Sequence, residues 1–116
     1  MKLNEEDYKL LKSIIYRKDS FLHNVVDNMY QNNTYFIGVE FLRTENSHYR
    51  FFEIKKPAIS FRGLIGFELI ECKSNKEFIF QEYDTGGNLS YYIKNDDEFL
   101  CVFKLNCINH WLEHCI

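Results

Sequence analysis

The sequence predicts an α+β domain: two N-terminal helices, an antiparallel sheet of five or six strands, and a C-terminal helix packed on the sheet. Three observations carry this. Apolar residues recur at helical spacing up to Met29 and again after Asn106. Between them, from Tyr35 onward, aromatic and β-branched residues alternate with polar ones in short runs. Those runs are joined by TENS, SNK, TGG and NDD, which are rich in turn formers. Such connections force antiparallel neighbours, because a parallel crossover needs about a dozen residues or more.

The elements follow in order. Asn4 is placed to cap a helix whose first turn carries Glu5, Glu6 and Asp7, and which runs to about Tyr16. Tyr8, Leu11, Ile14 and Ile15 line one side of it. RKDS at 17–20 breaks the pattern, and Asp19 is the expected cap of a second helix. That helix sets Phe21, Leu22, Val25, Val26 and Met29 on one arc, with His23, Asn24, Asp27 and Asn28 facing away. QNNT at 31–34 ends it. YFIGVEFLR (35–43) and HYRFFEIKK (48–56) then read as a hairpin. Pro57 interrupts, and SFRGLIG (60–66) reads as a loop or short irregular strand. GFELIECK (66–73), EFIFQEYD (77–84), NLSYYIK (88–94) and EFLCVFKL (98–105) read as a meander of strands. NCINHWLEHCI (106–116) closes the chain as a helix, with Ile108, Trp111, Leu112 and Cys115 on one arc.

A chain of 116 residues supports one domain, 1–116, with one hydrophobic core. Aromatic residues reach 17%, so the core is ring-rich and some tyrosines are expected at the surface. No apolar run approaches the roughly 20 residues needed to cross a bilayer. MKLNEEDYKLLKS carries acids where a signal peptide has its apolar stretch, so the expected location is cytoplasmic, without membrane association. Cys72, Cys101, Cys107 and Cys115 are then expected as thiols, with Cys72 and Cys101 acting as small core residues.

HWLEHC (110–115) spells the H-x-x-E-H arrangement of one class of zinc peptidase. On a helix, Cys107, His110 and His114 would share one flank and could supply three ligands of a zinc tetrahedron. A peptidase needs a further protein ligand downstream, and only Cys115 and Ile116 follow. The expectation is therefore a histidine-bearing outer face with no metal and no cofactor. No nucleophile elbow or phosphate-binding glycine loop is present, and Gly86-Gly87 reads as a hairpin turn. The chain is read as not an enzyme. The catalytic alternative is a small RNase-like site built on His48 with Lys55 and Arg62.

Function then falls to the surface. Residues 1–64 hold ten Lys/Arg and eight Asp/Glu, whereas residues 65–116 hold four and nine, so the second half is strongly acidic. That skew argues against direct nucleic-acid binding and for a basic protein partner. In NLSYYIK, strand alternation sends Leu89, Tyr91 and Ile93 inward and displays Tyr92. Glu82, Asp84, Asp96, Asp97 and Glu98 lie near it in sequence, and an exposed ring among carboxylates is a candidate hot spot for a basic partner. Over its whole length, QNNTYF and YYIKNDDEFL included, the chain resembles the small immunity proteins of bacterial polymorphic toxin and contact-dependent inhibition systems. The resemblance implies an inhibitor that covers the active site of a cognate toxin, often a basic nuclease. The alternative binding role is a phage- or plasmid-encoded regulator of a host protein.

Overall fold

The computed structural model describes residues 2–43, 46–102 and 104–108, with the side chains of 42–48 and of 108 outside that description. Helix α1 spans Glu5–Ser13 and opens with a reciprocal cap. The Asp7 amide donates to the Asn4 side chain at 2.8 Å, and the Asn4 amide donates back to the Asp7 carboxylate at 3.4 Å. The helix stops short of Tyr16 because the chain is captured by the sheet. Ile15 bridges to Leu64, and the Leu64 amide donates to the Ile14 carbonyl at 2.9 Å. Glycine is required opposite: Gly63 has φ +110°, and a β-carbon there would lie 2.0 Å from the Ile14 oxygen.

Helix α2 spans Leu22–Gln31 and buries Leu22, Val25, Val26 and Met29, the arc its periodicity predicts. Each such side chain contributes roughly 1.5–3 kcal/mol through apolar area removed from water. Its start is held differently from the expectation. Asp19 bonds Arg17, and the Ser20 hydroxyl instead accepts the Leu22 amide at 3.1 Å.

The described strands form one seven-stranded antiparallel sheet in the order β6-β5-β4-β3-β2-β1-β7. Its strands are β1 (Phe36–Arg43), β2 (Asn46–Ser60), β3 (Gly63–Glu71), β4 (Glu77–Thr85), β5 (Asn88–Lys94), β6 (Phe99–Cys101) and β7 (Lys104–Ile108). Strands β6 and β7 sit on opposite edges, yet only positions 102 and 103 separate them. Three Cα steps of at most 3.8 Å reach about 11 Å, so the two edges must approach each other. The sheet is accordingly curled into a half-barrel, with β6 close to β1. Ile37, Val39, Phe52, Ile54, Phe67, Leu69, Phe78, Phe80 and Ile93 are all buried, and α2 supplies the rest of the core.

Two bulges bend the long central strands, where the β2–β3 register slips between Ile54 and Lys56 and again between Ala58 and Ile59. The second slip leaves Ile65 unpaired, which lets Leu64 and Phe67 both face the core at an odd spacing. Gly66 answers the crowding beside it, since a β-carbon there would sit 1.7 Å from the Phe80 oxygen.

Four expectations are corrected. Among the described residues there are seven strands, not five or six, and sheet predominates over helix. Pro57 does not interrupt: β1 pairs with β2 only as far as Glu53, so beyond that point β2 has a free side where the missing amide costs no ladder bond. The run 98–105 is split, ending β6 at Cys101 and beginning β7 at Lys104. The expected C-terminal helix is overturned, because Lys104–Ile108 pairs antiparallel with β1, Ile37 opposite Cys107 and Val39 opposite Leu105. Leu105 and Cys107 alternate with Lys104 and Asn106, a pattern that suits a strand once β1 offers an open edge. Residues 109–116, with His110 and His114, lie outside the described residues.

The cysteine expectation also changes. Cys72 is disulfide-bonded and only partly buried, and Cys101 is an exposed free thiol, so neither fills the core. Among the described residues, no helix is long and apolar enough to cross a membrane.

Candidate partner-binding surface

Strand alternation on β4, β5 and β6 sorts side chains between the filled inner face and the open outer one. Phe78 and Phe80 point inward on β4, as do Tyr91 and Ile93 on β5 and Leu100 on β6. Tyr83, Tyr92, Lys94 and Phe99 fall on the other side and form one cluster. The rings of Tyr83 and Tyr92 meet edge to face with centroids 4.8 Å apart, and those of Tyr92 and Phe99 are 4.7 Å apart. The Lys94 ammonium donates to the Tyr83 hydroxyl at 2.8 Å and lies 5.5 Å from that ring's centroid. Phe99 is 57% exposed, unusual for an apolar ring that no core requires.

Beside this cluster is the β5–β6 turn. The Asn95 side chain accepts the amides of Asp97 at 2.9 Å and Glu98 at 2.8 Å. This turn holds Asp96 and Asp97 in solvent, where neither has an ion-pair partner among the described residues. A shallow depression lined by Lys94, Asn95, Asp96 and Glu77 continues the surface away from the rings.

The six sequence-predicted residues therefore separate into two groups. Tyr92, Asp96 and Asp97 come together on the outer side. Glu82, Asp84 and Glu98 are each engaged within the fold. Glu82 has the strand parity of Phe80 and points inward, accepting short hydrogen bonds from the Ser20 hydroxyl and, at 3.0 Å, from Tyr91. Tyr91 in turn accepts the Phe21 amide at 2.8 Å, so this network pins the start of α2 to the sheet. Burial, then the Glu82 charge, raises the Tyr91 hydroxyl above its ordinary pKa. Asp84 pairs with Arg17 at 3.1 Å and accepts the Gly87 amide at 3.0 Å, at the far end of the sheet from Asp96.

Glu98 belongs to a three-part ion cluster. Arg50 forks onto both Glu98 oxygens at 2.7 and 3.1 Å, and onto Glu71 through a very short Nε contact and a 2.8 Å Nη2 bond. Its guanidinium also stands over the rings of Phe41, Phe52 and Phe78, at 5.2 Å in the last case. The carboxylates of Glu71 and Glu98 hold the Arg50 pKa well above its ordinary value. This arginine ties β2 to β3 and to the acidic turn, and thereby positions Asp96 and Asp97.

Tyr83, Lys94 and Phe99 are missing from the sequence-predicted surface. Their signal was the period-2 pattern: Tyr83 is the residue after inward Glu82, and Phe99 the one before inward Leu100. The catalytic alternative does not assemble along β2. Its backbone runs extended from His48 to Lys55, roughly 23 Å at about 3.3 Å per residue, and Arg62 lies beyond, past the end of β2. Cys107 lies on a strand and faces the core, where burial pushes its thiol up to about 11. Cys107 is therefore not on the helical flank expected for it, His110 and His114 lie outside the described residues, and among the described residues no group of His, Cys, Asp and Glu is arranged to hold a metal ion.

No family model matches the chain, and neither a curated protein nor a solved structure shows significant similarity to it.

Proposed function

We propose that this chain is a non-catalytic, protein-binding inhibitor, an immunity protein that neutralises a cognate toxin by covering its active site. The observation that supports the reading is the outer-face cluster of Tyr83, Tyr92 and Phe99 beside the exposed acids Asp96 and Asp97. Rings of this kind supply buried contact area, and unpaired acids at the rim speed encounter with a basic partner. The acidic excess of residues 65–116 points the same way. A nuclease, whose substrate is polyanionic, is the toxin class whose active-site surface would suit this patch.

The reading includes action in the cytoplasm, against a toxin delivered there. A disulfide at Cys72 would be reduced in that compartment, so the core of α2 and the curled sheet must hold the fold without it. The test is co-expression with the product of the adjacent gene, followed by purification through a tag on one chain. A stable complex that weakens at least tenfold on Tyr92→Ala, about 1.4 kcal/mol by the ordinary logarithmic relation, supports the proposal. Absence of a complex counts against the immunity role. Charge reversal at Asp96 and Asp97 should slow association and flatten its salt dependence; unchanged kinetics would remove the turn from the interface.

A further inference from the structure

The outer face of β1, β2 and β3 is apolar but not open. Along their strands Phe36, Phe51 and Ile70 adjoin the buried Ile37, Phe52 and Leu69, so all three point away from the core. Register sets them side by side, with Phe36 opposite Glu53 and Glu53 opposite Ile70. Phe51 stands opposite Gly38, which has no side chain to fill the space beside that ring. Both described helices bury their apolar residues on the inner side of the sheet. Apolar side chains left on such an outer face should stand as free as Phe99, which is 57% exposed on β6. Phe36, Phe51 and Ile70 are instead partly buried, and the two rings are each engaged with a partner. A groove over Phe36, Glu53, Ile70 and Cys72 marks the same face.

Two observations identify what lies there. Strand β7 ends at Ile108 opposite Phe36, so the next residues leave the sheet at the rim of this groove. These are NHWLEHCI at 109–116, with Trp111, Leu112 and Ile116 as apolar side chains. The second observation is Cys72 itself. It is disulfide-bonded, whereas Cys101 and Cys107 are free thiols, and the fourth cysteine of the sequence is Cys115. The length suffices. From β7 across β1 and β2 to β3 is three strand spacings, about 14 Å, and Cys72 lies two residues along from Ile70, about 7 Å more, which makes a straight distance of about 16 Å. The seven Cα steps from 108 to 115 reach about 23 Å.

We infer that residues 109–116 fold back over the outer face of β1, β2 and β3 as a cover for Phe36, Phe51 and Ile70, fastened by a disulfide between Cys72 and Cys115, and that reduction of this bond releases it. A dithiol reductant opens the bond by attack of its thiolate and passes through a mixed disulfide. It leaves as its own cyclic disulfide, so two electrons and two protons convert the bridge into the Cys72 and Cys115 thiols. Cys72 is only partly buried, so the bond can be reached. Held at one end alone, the short segment loses much of the effective concentration that keeps it seated. Its release uncovers an apolar patch on β1, β2 and β3, separate from the Tyr92 cluster on β4, β5 and β6. The patch is open in a thiol-reducing compartment and shut in an oxidising one.

Peptide mapping of the full oxidised chain, alkylated under denaturing conditions, reads the pairing directly. A cross-link between the peptides of Cys72 and Cys115 is expected, with Cys101 and Cys107 alkylated. Trp111 is the only tryptophan of the sequence, so quenching of its fluorescence by acrylamide reports the cover. Quenching should rise severalfold when dithiothreitol is added, and to the same level in Cys72→Ser and Cys115→Ser without reductant. Cys101→Ser should behave like the parent. Ile70→Glu should raise quenching with the bond intact, because the cover then lies on a charge. Far-UV circular dichroism separates release from unfolding, and the sheet signal of the reduced chain should be unchanged. A cross-link to Cys101 or Cys107, a cross-link between two chains, or no cross-link overturns the inference. So does quenching that reduction leaves unchanged, or loss of the sheet signal on reduction, which would make the bond a staple of the fold. None of these readouts uses a toxin, so their failure leaves the inhibitor reading standing.

Discussion

Replacing Arg50 by methionine tests how the acidic turn is held. Methionine keeps the apolar stem of the side chain but removes the guanidinium, and with it every hydrogen bond to Glu71 and Glu98 and the cation's contact with the Phe52 and Phe78 rings. The side chains are 22%, 12% and 27% exposed for Arg50, Glu71 and Glu98, so the cluster is neither dry nor free in solvent. Breaking a fully buried pair costs 3–5 kcal/mol and an exposed one less than 1, which places this cluster at about 2–3 kcal/mol. Two carboxylates are then left facing each other without their cation, so the deficit should shrink in acid, where one takes up a proton. Urea denaturation at neutral and acidic pH measures both quantities. A neutral-pH loss under about 0.5 kcal/mol, the level typical of an exposed pair, would refute the assignment of Arg50 as the clamp. So would a deficit that does not change with pH. The double variant Arg50→Met with Glu98→Gln should lose less than the sum of the two single changes, since both act on one cluster.

Further outcomes follow from local geometry. Gly63→Ala should destabilise the fold by about 2 kcal/mol or more, because positive φ and the Ile14 carbonyl both oppose a side chain. Gly86→Ala, with φ +64° but open space around it, should cost only about 1 kcal/mol; equal melting shifts would show the Ile14 contact to be unimportant. Asp27 feels opposing influences, burial raising its pKa and the Tyr8 hydroxyl and Lys12 lowering it, with a net value below the ordinary one. A depressed folded-state pKa contributes stability above the unfolded value near 3.9 and loses it as pH falls through the folded value. Asp27→Asn should therefore lower stability at neutral pH by about 1 kcal/mol and converge with the parent in strong acid, as thermal melts across pH will record. Cys101, exposed, should alkylate rapidly in the native protein, whereas Cys107, its thiol raised to about 11 by burial, should react only on unfolding. Peptide mass spectrometry after timed iodoacetamide treatment distinguishes the two.

Much of the architecture was legible because it is local. The Asn4–Asp7 cap, the buried arc of α2 and the turn-rich links between β3, β4, β5 and β6 depend on residues a few positions apart. Strand parity was equally available, and a stricter use of it would have sent Glu82 inward beside Phe80 and brought Tyr83 and Phe99 into the candidate surface. Other features depend on partners remote in sequence. Arg50 engages Glu71 and Glu98, 21 and 48 residues away, so the acid nearest the turn could not be seen as neutralised.

The sequence by itself determined two amphipathic helices, an antiparallel meander and an aromatic core, since period and turn chemistry act within each segment. Only the tertiary structure decided that the sheet curls until its edges approach, that Pro57 can sit in a strand, and that Lys104–Ile108 becomes a strand on β1 instead of the start of a helix. The physical reason is that a backbone edge left open in one part of the chain dictates the conformation of another, and an edge exists only once the sheet has formed.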